Sequence, residues 1–363
     1  MSQSTDNLTE MADAFGRDAD PLAQFEEKFE ALDIDPFESY KQRVLEPENP
    51  SESTRKSYRY AIDRWTLYMN QVERHPACPR ETHVKQFVSF LRKEYGNQDS
   101  TIKRRIGALQ RIYNWWQDHH AFPHPSDYDP YGLAKHELSF NNEDTEEFPE
   151  IEFEELKEVI QQCTNIRERL FVMFLLKLGL RAGELLNVKL EDISIENESV
   201  KQRYPAIGTQ AALEGYSNAI YIPSKSDREG NKSSNPRILP LDDELRQILI
   251  QFLMIRPTVD IPWLVTSERT YGKMDRTDCV NRIWKDHFAA YNGSEEYRDI
   301  TSHYGRHYFT TYWKIREDVQ RELVQYMRGD KLGENNGESI DTYLHTYYSD
   351  IRELYLNRVF KLL

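Results

Sequence analysis

"LLKLGLRAGELLNVKLEDI", residues 175–193, is the stretch that most constrains the fold, since an apolar helix pattern stops there at Gly179 and a charged pair follows. Arg181 and Glu184 are three positions apart, a spacing that places two side chains on one face of a helical turn. Because a buried charge is costly unless it is paired, an arginine in these surroundings favours an anion as its partner, with Glu184 orienting it. The alternative is an Arg–Glu pair that only caps a helix.

A second charged pair stands in "SHYGRHYFTTYW", residues 302–313, where His303 and Arg306 also share a helix face. The planar fork of an arginine binds two phosphate oxygens at once. A histidine titrates near neutral pH, so it can carry a proton beside that phosphate. Taken alone, such a pair also occurs by chance, and an aromatic stripe is typical of a core helix.

Length and patterning predict a mainly α fold with a small β-sheet, in about two domains. Helix-type apolar periodicity dominates the 363 residues, and 219–223 and 237–241 have the pattern of two short strands around a polar turn. The sequence contains no apolar run of the length that a transmembrane helix needs, and its acidic start is unlike a signal or transit peptide. The cysteines are isolated, which predicts neither a disulfide framework nor a zinc site and favours an intracellular protein. They are Cys78, Cys163 and Cys279.

The net charge of -14 is unevenly distributed along the chain. Residues 1–38 carry a net charge of -9 and residues 136–150 one of -6, whereas residues 39–135 carry +5. We therefore predict an acidic flexible tail over 1–38 and an acidic linker over 136–150. The basic block between them keeps a nucleic-acid partner possible despite the acidic total.

The pattern of the basic block, residues 39–135, predicts a compact helical domain. Three amphipathic stretches cover residues 53–72, 80–96 and 100–117, with Ser100 as the N-cap of the third. The basic side chains of the third helix lie away from its apolar stripe, and they are Lys103, Arg104, Arg105 and Arg111. A solvated helix face and a surface that binds DNA phosphates are both compatible with this pattern.

The two charged boxes together resemble the tyrosine recombinase (phage integrase) family. "GLRAGELL" at 179–186 is similar to the family's Gly-Leu-Arg-x-x-Glu-Leu, and "HYGRHYFTT" at 303–311 to its His-x-Leu-Arg-His-x-Phe-Ala-Thr. Gly305 replaces the usual leucine, a change that we expect to affect packing alone. The boxes stand in the family's order behind a helical unit, and the resemblance, to a Xer-like and archaeal-type member, covers most of 39–363.

This resemblance implies a site-specific DNA recombinase or integrase that cleaves and rejoins DNA through a 3′-phosphotyrosyl intermediate. It implies a helical core-binding (SAM-like) domain over 39–135 and an α+β catalytic domain over 151–363, which close around double-stranded DNA. The expected partners are DNA and further copies of the chain, from dimer to tetramer, without a membrane. No metal or cofactor is expected, and the protein is expected to be cytoplasmic and DNA-associated.

The resemblance also implies site residues. Arg181 and Arg306 would clamp the scissile phosphate, His303 would manage a proton, and a lysine on the predicted hairpin would protonate the leaving group. Lys225 follows a predicted strand and fits that lysine, with Lys232 as the second choice. Asp330 stands where the family usually has histidine or tryptophan, and a carboxylate cannot donate a hydrogen bond to phosphate unless it is protonated. The alternatives are that Lys331 or Arg328 substitutes as the donor, or that the site is weaker.

The nucleophile implied by the resemblance is a tyrosine near the C-terminus, in "IDTYLHTYYSDIRELY" at 340–355. Tyr343 is favoured because His345 follows it at the family's spacing, and Tyr347 and Tyr348 remain alternatives. Behind them, "SDIRELYLNRVFKLL" at 349–363 predicts an apolar helix stripe, which would pack either on its own domain or on a neighbouring protomer.

Two other functions fit these residues. The first is a non-catalytic DNA-binding protein that keeps the recombinase fold as an architectural or regulatory module, which Asp330 would favour. The second is a relaxing enzyme similar to type IB topoisomerases, whose chemistry is shared; the helical N-terminal unit favours the recombinase.

The basic helix yields a testable prediction. Replacing Lys103, Arg104 and Arg105 by glutamine should weaken DNA binding. Each phosphate contact that is lost reduces the number of counterions released on binding, so the slope of log affinity against log salt concentration should become shallower by about one per contact. Fluorescence anisotropy on labelled duplex over a range of salt concentrations measures both. A slope equal to that of the wild type would assign these side chains to a solvated face.

Overall fold

The computed structural model describes residues 10–12, 14–140, 147–331 and 340–363, the last range without the side chains of 340–343, 345 and 346. The chain divides into two compact units, Met1–Thr145 and Glu146–Leu363. The predicted fold class is confirmed, because helices surround one small antiparallel sheet. Within the described ranges, no helix has both the length and the apolar character to cross a membrane.

The first unit is helical in its described part. Its helices are α1 (Glu26–Glu30), α2 (Pro36–Tyr40), α3 (Glu46–Glu48), α4 (Glu52–Gln71), α5 (Glu81–Tyr95), α6 (Asp99–Asp118) and α7 (Pro130–Glu137). Apolar stripes of α4, α5 and α6 meet in one core around the fully buried Trp65. The indole of Trp65 is satisfied there, since its Nε1 donates to the Pro76 carbonyl at 2.9 Å.

The structure differs from the predicted flexible tail in the second half of residues 1–38. Leu22, Phe29 and Phe37 are buried in the core of the first unit. Arg74 fastens the same segment, because its guanidinium lies 2.8 Å from the Asp20 carboxylate and 3.0 Å from a further carboxylate of α1. Burial of these apolar side chains offsets the entropy lost when the segment is ordered. Residues 1–9 and 13 lie outside the described ranges.

The third helix of the basic block begins at Asp99, one residue before the predicted N-cap Ser100. Gln98, not Ser100, is the N-cap, and α6 starts at Asp99. The Asp99 carboxylate accepts from Arg92 Nε and Nη2 at 2.8 and 2.9 Å. An acidic side chain in the first turn also complements the helix dipole, which favours this start.

The second unit is built around a buried helix. Its elements are α8 (Phe153–Gln162), α9 (Ile166–Leu178), α10 (Ala182–Leu186), β1 (Ile193–Ser194), α11 (Glu198–Arg203), β2 (Ala219–Ile222), β3 (Arg237–Pro240), α12 (Asp243–Ile255), α13 (Thr277–His287), α14 (Ser302–Thr311), α15 (Arg321–Arg328) and α16 (Ile340–Arg358). Every residue from Leu170 to Leu178 on α9 is buried, and the helix packs against α12 and α14. Such all-round burial explains why this run is apolar apart from Lys177, whose ammonium is paired with Asp242 and Glu244.

The sheet has the order β1-β2-β3 with antiparallel neighbours. In the β2–β3 hairpin Ile220 pairs with Leu239 and Ile222 with Arg237, so a charged side chain sits at the start of a fully buried strand. The hairpin agrees with the two strands predicted from the sequence.

A close helix contact explains the glycine in the second box. A Cβ at Gly305 would meet the Leu175 backbone and the Trp284 ring at 3.0 Å, so α14 packs tightly against α9 at this point, and a larger residue would require its neighbours to shift. The predicted packing change therefore lies at a tight crossing between the helix of the second box and the helix that precedes the first box.

The C-terminal apolar stripe packs on its own unit. Ile351, Tyr355, Val359 and Phe360 are buried in the main core of the second unit. The Tyr355 hydroxyl donates to the Lys177 carbonyl at 2.7 Å. Of the two alternatives left open by the sequence, the structure favours packing within the chain.

The stability of the second unit should depend on this packing. Phe360→Ala should lower the free energy of unfolding by about 3–5 kcal/mol, because a buried ring is replaced by a cavity. Leu363→Ala, at a position that is 40% exposed, is the matched control and should change little. Urea unfolding followed by circular dichroism measures both. Equal effects of the two variants would contradict this account of the C-terminus.

Candidate active site

Arg181 is held at the start of α10 by a reciprocal cap with Glu184. The Arg181 backbone N–H donates to Glu184 Oε2 at 2.9 Å, and its Nη1 donates to Glu184 Oε1 at 3.2 Å. Gly179, with φ of +61°, ends α9 and turns the chain into this cap. The pair therefore caps the helix, and the guanidinium stays 29% exposed, so Arg181 can still contact an anion.

Glu184 is a buried carboxylate shared by several donors. Arg237 Nη2 donates to its Oε2 at 2.9 Å, and the Ser233 hydroxyl donates to its Oε1. Burial alone would raise the pKa of Glu184, but the Arg237 charge and these hydrogen bonds lower it to about 2. Glu184 is thus ionised at any physiological pH and holds two arginines in place.

Arg306 is almost completely buried, with a relative exposure of 3%. Its Nη1 donates to the carbonyls of Gly179 and Arg328 at 2.8 and 3.0 Å, which connects α14 to the end of α9 and to the end of α15. Burial and the nearby guanidiniums, those of Arg181 and Arg237 foremost, lower the pKa of Arg306 to about 9. The side chain remains a cation at neutral pH and is short of negative partners.

Asp330 supplies the missing negative charge. Its Oδ1 accepts from Arg306 Nη2 at 2.7 Å and from Arg181 Nη2 at 3.4 Å. Its Oδ2 lies 2.9 Å from Arg328 Nε. Gly329, with φ of +66°, places Asp330 there, and a Cβ at this glycine would approach Arg237 Nη1 to 2.4 Å.

These groups border a cleft of about 330 Å³ in the second unit. Arg181, His303 and Arg306 line it, as do Lys232 and Asn281. The His303 side chain is exposed on the cleft, and partial desolvation, together with Arg298 and the two cleft arginines, lowers its pKa. A mostly neutral imidazole beside a cationic pocket can accept a proton from a group that binds there.

The two candidate lysines differ in position. Lys232 lines the cleft, whereas Lys225 is not among the described residues that do so. Both side chains are exposed in the β2–β3 connection, and the Lys225 N–H donates to the Ser233 carbonyl at 2.9 Å.

The candidate tyrosines lie on α16. The side chain of Tyr343 lies outside the described residues. Tyr347 stacks on Tyr326 with ring centroids 5.1 Å apart, and Tyr348 is buried beside Tyr216, with centroids 4.6 Å apart. Both alternatives therefore have packing roles in the described structure.

The four basic side chains of α6 are not equivalent. Lys103 and Arg104 are exposed, whereas Arg105 is partly buried. Arg111 Nη2 donates to the Glu48 carboxylate at 2.6 Å, an ion pair within the first unit. Arg111 is therefore already paired with a carboxylate, which differs from the prediction of a side chain free to contact a DNA phosphate.

Arg237 and Ser233 join the cleft network although neither was predicted as a site residue, and Arg328, a predicted substitute for the donor that Asp330 lacks, joins it as well. Arg237 had a visible signal, because "RILP" at 237–240 puts an arginine at the head of an apolar strand. Ser233 has no comparable signal, since a serine in a polar turn is common on surfaces.

Comparison with known proteins identifies the family of the chain. The profile of the phage integrase family matches residues 148–349, and that of the phage integrase N-terminal SAM-like domain matches residues 40–120. The tyrosine recombinase XerC of Staphylococcus carnosus is 22% identical over 318 residues, covering 85% of this chain and 91% of its own. The tyrosine recombinase XerA of Saccharolobus solfataricus is 22% identical over 202 residues, with 56% and 54% covered.

Two solved structures share the fold. An integrase of the transposon Tn1549, in complex with a circular intermediate DNA, has a TM-score of 0.58 at 17% identity, covering 89% of this chain and 98% of its own. A lambda integrase tetramer bound to a Holliday junction has a TM-score of 0.57 at 13% identity, covering 84% and 79%. With both sequence boxes in one cleft and the family profile matching more than half of its length, the chain belongs to the phage integrase family, the tyrosine recombinases.

Proposed function

We propose that this protein is a site-specific DNA recombinase or integrase that exchanges strands through a 3′-phosphotyrosyl intermediate. One observation carries the proposal: the guanidiniums of Arg181 and Arg306, from separate helices of the second unit, converge on a single carboxylate oxygen of Asp330. Two fixed cations aimed at one oxygen are the arrangement that a phosphodiester requires.

In the proposed reaction the Tyr343 phenol attacks the phosphorus and the bond to the 5′-oxygen breaks. Arg181 and Arg306 bind the non-bridging oxygens and stabilise the charge of the pentacoordinate transition state. His303 receives the phenol proton, and a lysine gives its proton to the leaving 5′-oxygen. A second 5′-hydroxyl then gives its proton to the lysine and attacks the phosphotyrosine, the phosphorus–tyrosine bond breaks, and His303 returns the proton to the leaving tyrosine.

Lys232 is the lysine that the cleft geometry supports, because it lines the same cavity as His303 and Arg306. Lys225 remains the residue that the family resemblance favours. Tyr343 is supported as nucleophile by the packing of its alternatives, since Tyr347 is stacked and Tyr348 is buried.

Before DNA binds, Asp330 occupies the position that the phosphate takes in the proposed reaction. Its carboxylate neutralises the arginines in the absence of DNA, and an incoming phosphodiester must displace it from Arg306. Glu184 and Arg237 act as positioning residues, because Glu184 accepts a hydrogen bond from Arg181 and Arg237 in turn donates to Glu184.

The same proposal extends to the whole chain. Residues 39–135 form the core-binding domain, 136–150 the linker and 151–363 the catalytic domain, with Lys103 and Arg104 of α6 on DNA phosphates. DNA and further copies of the chain are the partners, as in the integrase complexes with DNA that share its fold. The protein acts in the cytoplasm on its DNA.

A nicked suicide substrate tests the proposed function. Wild-type protein should form a covalent adduct that survives denaturing electrophoresis, and mass spectrometry should find the DNA remnant on Tyr343. Tyr343→Phe should form none, whereas Tyr347→Phe, one turn along the same helix, should still react. Absence of any adduct on bound duplex would support the non-catalytic alternative.

The arginine clamp predicts a separation of cleavage from binding. Arg181→Ala should lower the rate of adduct formation by about 10²-fold or more, since a preorganised donor to the transition state is lost. Duplex affinity should change little, because most phosphate contacts lie elsewhere. Arg246→Ala, on α12, is the control that removes an arginine outside the cleft. Near-normal cleavage by Arg181→Ala would refute the clamp.

Asp330→Asn should tighten DNA binding roughly tenfold, because the variant keeps the shape of Asp330 and removes the charge that competes with phosphate. Asp260→Asn changes the net charge equally at an exposed position and should have a much smaller effect. Anisotropy titrations at fixed salt compare the two. Weaker binding by Asp330→Asn would instead make Asp330 the counter-ion that keeps the arginines in place.

A further inference from the structure

A second group of reactive side chains lies outside the cleft, where α8 ends, α9 begins and α13 ends. Cys163, Glu168 and His287 bring one sulfur, one oxygen and one nitrogen atom within 4.8 Å of one another. Cys163 Sγ lies 3.4 Å from His287 Nε2, which lies 2.7 Å from Glu168 Oε2. The strand-exchange chemistry does not use these groups.

We infer that Cys163, Glu168 and His287 form a binding site for a divalent transition metal ion, with zinc as the ion that fits best. A thiolate, an imidazole and a carboxylate are the ligands that zinc takes in proteins. Zn–S and Zn–N bonds of about 2.3 and 2.0 Å at a tetrahedral angle separate sulfur and nitrogen by about 3.5 Å. The observed 3.4 Å between Cys163 and His287 matches this separation.

The third ligand, Glu168, would have to adjust its position to complete the site. Tetrahedral coordination would separate the imidazole nitrogen and the carboxylate oxygen by about 3.3 Å, slightly more than the 2.7 Å between His287 and Glu168. The Glu168 side chain is 33% exposed and on the first turn of α9, so it has room to move. That exposed side also leaves the fourth position open to water.

The geometry argues against a nucleophilic triad. In a Cys–His–carboxylate triad the histidine uses its two ring nitrogens for two different partners, so that a proton passes through the ring. Here both Cys163 and Glu168 contact Nε2 of His287. Three ligand atoms converge towards one point here, which is typical of a metal coordination site and not of a proton relay.

Neighbouring contacts hold the ligands in place. The Asn165 side chain accepts from the backbone N–H groups of Arg167 and Glu168 at 3.0 and 3.3 Å, which fixes the start of α9. Arg169 Nε donates to the Cys163 carbonyl at 2.7 Å and fixes the end of α8. A thiolate and a carboxylate together balance the two charges of the ion, so the filled site is neutral.

The metal would join elements that support the cleft without entering it. His287 ends α13, whose first turns carry Thr277 and Asn281 to the cleft lining. Asn281 Oδ1 accepts from the Ser302 N–H at 3.3 Å, at the start of α14. An ion between α9 and the end of α13 would therefore restrain the helix that supports the second box.

Titration of the full-length reduced protein with Co²⁺ tests the site, since a cobalt–thiolate bond gives a charge-transfer band in the near ultraviolet. We expect one equivalent to bind with that band and Zn²⁺ to displace it. Cys163→Ser should abolish the band, whereas Cys279→Ser, a cysteine of α13 outside the cluster, should keep it. Glu168→Gln and His287→Gln should weaken Co²⁺ binding roughly tenfold or more.

The outcomes are decisive without a cleavage assay. A wild-type protein that shows no thiolate band at a small excess of Co²⁺ overturns the site, as does a Cys163→Ser protein that keeps the band. Because Cys163 is buried, its variant is checked by circular dichroism, and the partly exposed Glu168 gives an independent result: unchanged affinity in Glu168→Gln also overturns the proposal.

Discussion

The carboxylate of Glu184 is the constraint on which the cleft depends. It is 1% exposed, and two arginines and a serine from different elements donate to it. A buried charge of this kind is tolerated only with its full set of partners, so removal of one partner leaves the others uncompensated. This network therefore holds the first box, the β2–β3 connection and the strand β3 in one arrangement. It also fixes the position of the exposed part of the Arg181 side chain.

The fold class and the two boxes could be predicted from the sequence because each has a local signal. The apolar run of α9, the stop at Gly179 and the spacing of His303 and Arg306 all depend on residues near one another in the chain. The boundary of the first unit could not be predicted so well. The net charge of residues 1–38 predicted a tail, but Leu22, Phe29 and Phe37 are buried, and the ion pair between Asp20 and Arg74 joins residues far apart in the sequence.

The rest of the site depends on long-range contacts that no spacing encodes. Arg237 and Arg328 join the cleft through a strand and a helix end, and their partners lie far away in sequence. The Cys163 cluster is a similar case, since its ligands come from positions 163, 168 and 287, outside any short metal-binding motif. Isolated cysteines therefore say little until the fold shows what lies beside them.

The tight helix crossing at Gly305 couples the residue at position 305 to the residue at position 284, a dependence that the family motif alone does not show. The family's usual leucine at this point would meet the Leu175 backbone and the Trp284 ring, both of which would already be at the limit of contact with a single methyl group. Consensus design or directed evolution of this chain would therefore have to vary 305 and 284 jointly, and a leucine grafted alone would displace the arginine that follows it.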